Sequence, residues 1–199
     1  MLYARLPTLL LCTVLLGGCA SSSMSGSALR SPSVTKMSEL AFFRALEMME
    51  QGDLSGAEPV FLALSQRYPR YSGPWTNLGL IAVAFGEDDK AIPYFEKAIA
   101  MHPGNVVAMT ALGTLLYRRG DHMAALDWNQ RAISIRPDDP EANLNLAVLY
   151  DKVLLQPDQA LKHYHRYQTL TGDSNLAVAA WILELEQGDS NHDYKVVSQ

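Results

Sequence analysis

Three kinds of residue recur at one spacing in this chain, and that spacing decides what it can fold into. Ala57, Ala91 and Ala125 stand 34 residues apart, and Ala160 follows 35 later. Pro69, Pro103 and Pro137 keep the same step, as do Gly52-Asp53, Gly86-Glu87 and Gly120-Asp121, with Gly188-Asp189 two steps further on. A period of this length marks a stack of supersecondary units, each too small to bury its apolar face alone. The glycines suit the left-handed residue that ends one helix, and the acids suit the start of the next. Asp139-Pro140-Glu141 reads as an N-cap, a first-turn proline and an acid at the positive end of a helix. Pro93 falls near a helix start, where a missing N–H is tolerated. Small residues (Gly79, Gly113 and Ala147 on one helix of each pair, the periodic alanines on the other) permit close approach. Large ones such as Leu78, Phe95 and Leu112 fill the space between.

The pattern resembles the tetratricopeptide repeat (TPR). Unit 72–105 carries Trp75, Leu78, Gly79, Ala91, Phe95, Ala98 and Pro103 at the signature positions, with Ala82 in place of an aromatic. Unit 106–139 keeps Leu112, Gly113, Ala125, Ala132 and Pro137, but has Met109 for the tryptophan and Asn129 for the aromatic. Unit 140–174 keeps Leu146, Ala147, Tyr150, Ala160 and Tyr164, with one extra residue between Leu154 and Ala160. Unit 38–71 is the most divergent, retaining Ala45, Ala57, Phe61 and Pro69. The resemblance implies an all-α solenoid of four helix-turn-helix units in a domain spanning 38–188, closed by a capping helix at 175–187 and followed by a flexible tail at 189–199. Nine helices and no sheet are expected. Leu176, Val178, Ala179, Ile182 and Leu185 would cover the open end of the stack, with Trp181 against the fourth unit.

The first residues read as an export signal. Arg5 precedes an apolar run from Leu9 to Leu16 broken only by Thr13, which is too short to span a bilayer, where about 20 apolar residues are needed. It ends in Leu16-Gly17-Gly18-Cys19, which resembles the lipobox of bacterial lipoproteins. That resemblance implies cleavage after residue 18 and acylation of Cys19. Ala20, where an aspartate would favour the inner membrane, implies the outer membrane with the body facing the periplasm. Residues 19–37, rich in serine, read as a flexible tether reaching about 20–25 Å.

Chemistry for catalysis is sparse. Lys and Arg number 16 against 21 Asp and Glu, for a net charge of −5, and the basic residues are scattered, which excludes a nucleic-acid surface. The two cysteines, Cys12 and Cys19, both lie in the first twenty residues, so neither a disulfide framework nor a zinc site is expected in the body. His163 and His165 are two apart on a helix, a poor spacing for a metal pair, and are expected to be solvated. The acid pairs Asp88-Asp89 and Asp138-Asp139 fall at helix starts and read as caps. No nucleophile elbow, phosphate loop or zinc-protease motif occurs. The chain therefore reads as a non-enzyme without metal or cofactor.

The TPR resemblance places a peptide groove on the first helix of each unit. Its residues here are Phe42, Leu46 and Met49; Thr76, Asn77, Leu80 and Val83; Thr110, Thr114, Tyr117 and Arg118; then Leu144, Asn145, Val148 and Asp151. Asn77 and Asn145 hold the position from which family members bond a peptide backbone, and are expected to face solvent. Thr76, Leu80 and Thr110 stand where chaperone-binding relatives carry basic residues, so a carboxylate-terminated partner does not fit. A competing reading packs these apolar residues on one another, on the tether or on the 189–199 tail. Architecture and address together resemble the small TPR lipoproteins of type IV and tight-adherence pilus systems, which implies a scaffold helping a pilus or secretin machine assemble. An adaptor for peptidoglycan hydrolases or a periplasmic protease, and a chaperone for exported clients, are the alternatives.

Overall fold

The computed structural model describes residues 32–172 and 175–187; Cys19, the leader, most of the tether and the 189–199 tail lie outside them. Among the described residues there are nine helices and no strand: α1 Pro32–Glu50, α2 Leu54–Arg67, α3 Ser72–Ala84, α4 Asp88–Met101, α5 Val106–Arg118, α6 His122–Ile135, α7 Pro140–Lys152, α8 Pro157–Thr171 and α9 Leu176–Glu186. None of them is long and apolar enough to cross a membrane. Each odd helix packs on the even helix after it and each even helix on the next odd one, giving a solenoid lined on its inner side by α3, α5 and α7. Helix α1 starts at Pro32, inside the stretch expected to be tether. Proline suits a first helical position, and nothing between it and Leu40 breaks a helix anchored by its packed second half.

The markers act as expected at the turns. Gly52, Gly86 and Gly120 have φ of 82°, 74° and 84°. The acid that follows each donates its N–H back to a carbonyl five residues earlier (Asp53 to Met48, Glu87 to Ala82, Asp121 to Leu116), closing the helix end. In the fourth unit the extra residue puts Leu155 in this conformation, at φ 52° and 77% exposed. Asp53 and Asp139 cap the N–H groups of Gly56 and Ala142 through their side chains, whereas Glu87 and Asp121 make no such bond. Pro93 lies deeper than the first turn of α4, and Pro59 holds the matching place in α2. The proline repeat has a second use: Trp75 Nε1 donates to Pro69 O at 3.1 Å, and Asn143 Nδ2, one unit pair later, donates to Pro137 O at 3.0 Å.

Small-against-large pairing holds each unit together. Ala57, Ala91, Ala125 and Ala160 are fully buried. A Cβ on Gly79 would lie 2.5 Å from the Phe95 ring, and one on Gly113 would collide with the Asn129 amide. One apolar core runs through units one to three, from Ala45 and Phe61 to Leu112 and Leu115; a second joins Ala147, Ala160 and Tyr164 to Val178 and Ile182 of α9. Trp181 packs on Tyr164 with ring centres 5.7 Å apart. The cap is incomplete, since Leu176 is 82% exposed and Leu183 55%. Three ion pairs bridge successive units on the surface: Arg118–Asp88 at 2.7 Å, Arg119–Asp89 at 3.3 Å, and Arg166–Asp138.

Candidate functional site

The inner face is built differently along its length. In α1 and α3, Phe42, Leu46, Met49, Leu80 and Val83 are half-buried and lie against the apolar core. Phe42 packs edge-on against Phe61 with centroids 5.5 Å apart. The Phe42 ring also lies against the start of α3, where a Cβ on Gly73 would come within 3.0 Å of it.

Several residues expected to line the groove are instead part of the wall. Thr76 is 7% exposed; its Oγ1 donates to Ser72 O at 3.0 Å and accepts from Asn105 Nδ2 at 2.8 Å. Thr110 is buried as well. Asn77 Nδ2 donates to Gly73 O one turn back at 2.9 Å, so its amide is turned along its own helix and not toward solvent. Arg118 is held across the unit boundary by Asp88. Asp151 is buried between Lys152, which it pairs with, and the Tyr164 hydroxyl, which donates to it at 3.1 Å. Burial and that carboxylate push the Tyr164 phenol far above its ordinary range, and burial brings Lys152 down. Thr76 shows one cause: an inward-facing helix position also faces the approach to the next inner helix, and a short polar side chain there is covered.

Between α5, α7 and α9 the surface does open. Thr114, Tyr117, Leu144, Asn145 and Val148, all expected in the groove, surround a pocket of about 190 Å³ together with Asn129, Leu149 and Trp181. Its floor is a bonded polar chain. Asn129, fully buried, donates from Nδ2 to Ala125 O at 2.7 Å. Its Oδ1 accepts from Asn145 Nδ2 at 3.0 Å, and that same nitrogen donates to Thr114 Oγ1 at 3.0 Å. Asn145 therefore does not face solvent freely; its two amide hydrogens are spent inside the wall. The pocket exists because Asn129 is shorter than the Phe95 and Tyr164 rings that fill the same slot in the units on either side. Asn129 was readable as a departure from the repeat, but Trp181 was not readable as a wall of the site. The signal for it is that α9 takes the place of a first helix in a fifth unit.

His163 is not solvated. It is buried, stacked on Tyr150 at 5.6 Å with planes 6° apart, and its Nδ1 lies 3.0 Å from Asn143 Oδ1. Asn143 spends its amide hydrogens on Pro137 O and Asp139 O, so its oxygen faces the ring and Nδ1 carries the proton. Burial, and then the Lys162 charge, lower its pKa below the usual histidine value. His165 is exposed and lies 3.4 Å from Glu186 of α9. Among the described residues no group of three or more His, Cys, Asp or Glu is placed to hold a metal.

The family profile of the tetratricopeptide repeat matches residues 44–106 and again 76–140. The fold is a tetratricopeptide-repeat solenoid. Solved TPR structures superpose on it. PilF of Pseudomonas aeruginosa does so with a TM-score of 0.68 at 16% identity, over 78% of this chain and 70% of that one. The crystal structure of MamA gives 0.62 at 21%, over 73% and 84%. At these identities the likeness is one of fold alone. Among curated sequences, anaphase-promoting complex subunit 3 of Schizosaccharomyces pombe is 28% identical over 109 residues, covering 48% of this chain and 16% of that protein. The Arabidopsis thaliana CTR9 homolog is 30% identical over 118 residues, covering 58% and 11%. The chain spans less than a fifth of the length of these curated relatives. The TPR fold makes the body a protein-interaction scaffold.

Proposed function

We propose that the chain is an outer-membrane lipoprotein acting as a non-catalytic scaffold. In this reading Cys19 carries the lipid, residues up to about 31 form the tether, and the solenoid stands in the periplasm. There it holds a segment of a protein partner on its inner face. The observation that carries the binding role is the pocket between α5, α7 and α9, where five of the expected groove residues converge on open space. Its lining selects the partner's chemistry: Thr114, Tyr117, Asn129, Leu144, Asn145, Val148, Leu149 and Trp181 carry no charge. A neutral segment with apolar side chains fits, and an acidic or carboxylate-led one does not. The Leu16-Gly17-Gly18-Cys19 sequence supports the address. Combined with the TPR fold, that address favours a partner in an envelope machine such as a pilus or secretin complex.

Two measurements test this. Cys19→Ser should abolish labelling by a palmitate analogue and leave the precursor uncleaved; continued labelling refutes the anchor. Capture of partners from envelope extract should fall more than tenfold with a Tyr117→Ala, Val148→Glu double variant whose thermal melt is unchanged. Undiminished capture by that folded variant refutes binding at the pocket.

A further inference from the structure

Helix α9 is apolar all the way round. From Leu176 to Leu183 every residue is aliphatic or aromatic, and its acids, Glu184 and Glu186, fall in the last turn. Such a helix belongs in an interior, and the last helix of a solenoid ordinarily turns a polar face outward. One face is covered: Val178 and Ile182 are buried against the fourth unit, with Trp181 and Leu185 beside them. The opposite face is bare, for Leu176, Ala180 and Leu183 are all exposed. The other end of the stack differs. On α1 the exposed Leu40 and Phe43 are interleaved with exposed Glu39, Arg44 and Glu47, which keep that face in water.

The bare stripe on α9 has the symmetry of a self-contact. Leu176 and Leu183 stand seven residues apart, and their midpoint falls between Ala179 and Ala180. A second copy laid antiparallel about that midpoint sets each Leu176 against the other copy's Leu183 and brings the alanines together at the axis. Small residues at the crossing with large ones beside them repeat the rule that joins helices inside each unit. Charge chooses the direction. The first turn of α9 holds no acid and the last turn holds two. Antiparallel pairing sets each last turn beside the positive end of the other helix, whereas parallel pairing would bring four glutamates together. At eleven residues α9 is about 16 Å long, so a contact along it alone stays below the roughly 1,200 Å² of a stable interface and suits a weak, reversible pair.

We propose that two copies of the chain pair antiparallel through α9, with Leu176 and Leu183 interlocking about Ala179 and Ala180. Trp181 lies about 150° round the helix from this stripe, so pairing leaves the pocket between α5, α7 and α9 open. Each pair then presents two pockets, and a partner offering two segments gains avidity over one offering a single segment. The pairing stands whether or not the pocket binds a segment and whether or not Cys19 carries a lipid.

The test is disulfide trapping in the full chain, with Cys12 and Cys19 changed to serine so that the introduced thiol has no competitor. Ala180→Cys, beside the axis, should cross-link to itself. Leu176→Cys and Leu183→Cys should each stay monomeric, because like positions lie about 10 Å apart along the pair, beyond disulfide reach; a mixture of the two should cross-link. Adding Leu183→Glu should cut the Ala180→Cys yield at least tenfold, with a circular dichroism melt that is unchanged because the position is exposed. No disulfide at Ala180→Cys gives the face to another occupant and overturns the proposal. Leu176→Cys cross-linking to itself as readily as in the mixture means parallel pairing and overturns it. Ala180→Cys joining Phe43→Cys more than itself means head-to-tail stacking and overturns it, as does a yield that Leu183→Glu leaves unchanged.

Discussion

Units two and three differ at the slot that faces the bare glycine of the first helix, and that difference separates their interiors. In unit two a bare glycine faces a phenyl ring, Gly79 against Phe95, and the apolar core closes around them. In unit three the same geometry pairs Gly113 with Asn129. An amide cannot fill a ring's volume and cannot be left unbonded, so it recruits Asn145 and Thr114 and leaves a void beside them. Polar character then continues toward the fourth unit in Asn143–His163 and in Asp151–Lys152–Tyr164. The first half gains stability from its core, and the second gives up some of it for a shaped site.

The comparison breaks most sharply by truncation. Phe95→Ala should cost about 3–5 kcal/mol in denaturant unfolding, the range for a large buried side chain. Asn145→Ala removes two bonds and strands Asn129 Oδ1, for about 1–3 kcal/mol. A smaller loss for Phe95→Ala than for Asn145→Ala would reverse the assignment of core and site. Acid offers a second handle on the polar half. His163 is held neutral in the fold, so the unfolded chain binds more protons as pH falls below about 6.5. The contribution of the neutral ring is present above that pH and is lost below it, down to the depressed native value. The melting temperature should therefore drop between pH 7.5 and 5.5, and a His163→Phe variant should show a shallower drop. Smallest is Leu155→Gly: relieving a left-handed leucine while freeing the unfolded chain should add about 0.5–1 kcal/mol. A destabilised variant would mean that Leu155 packs on something outside the described residues.

The repeat was legible because its constraints are local. A glycine that ends a helix, an acid that begins one and an alanine at a crossing each leave a residue type at a fixed offset. The site was only half legible. Thr114, Tyr117, Leu144, Asn145 and Val148 do come together. Thr76, Thr110 and Asp151 occupy equivalent inward positions, yet neighbouring helices cover them, and register alone carries no information about cover. His163 was misplaced for the same reason: its partners Asn143 and Tyr150 sit on α7, about twenty residues or fewer away in sequence but on another helix. Asn129 stood out against the repeat, but a missing ring becomes a cavity only when Trp181 closes the far side.

The charged bridges between successive units have a mechanical consequence. Arg118–Asp88, Arg119–Asp89 and Arg166–Asp138 lie on the surface, where a pair contributes at most about 1 kcal/mol and is screened over roughly 8 Å at physiological salt. They are too weak to decide whether the chain folds, but each adds a charged tie between units that also meet through helix packing and, between units three and four, through the bonds of Asn145. The solenoid is accordingly a spring whose pitch is trimmed by electrostatic struts, softer in brine than in dilute buffer, with its compliance set by the medium around it.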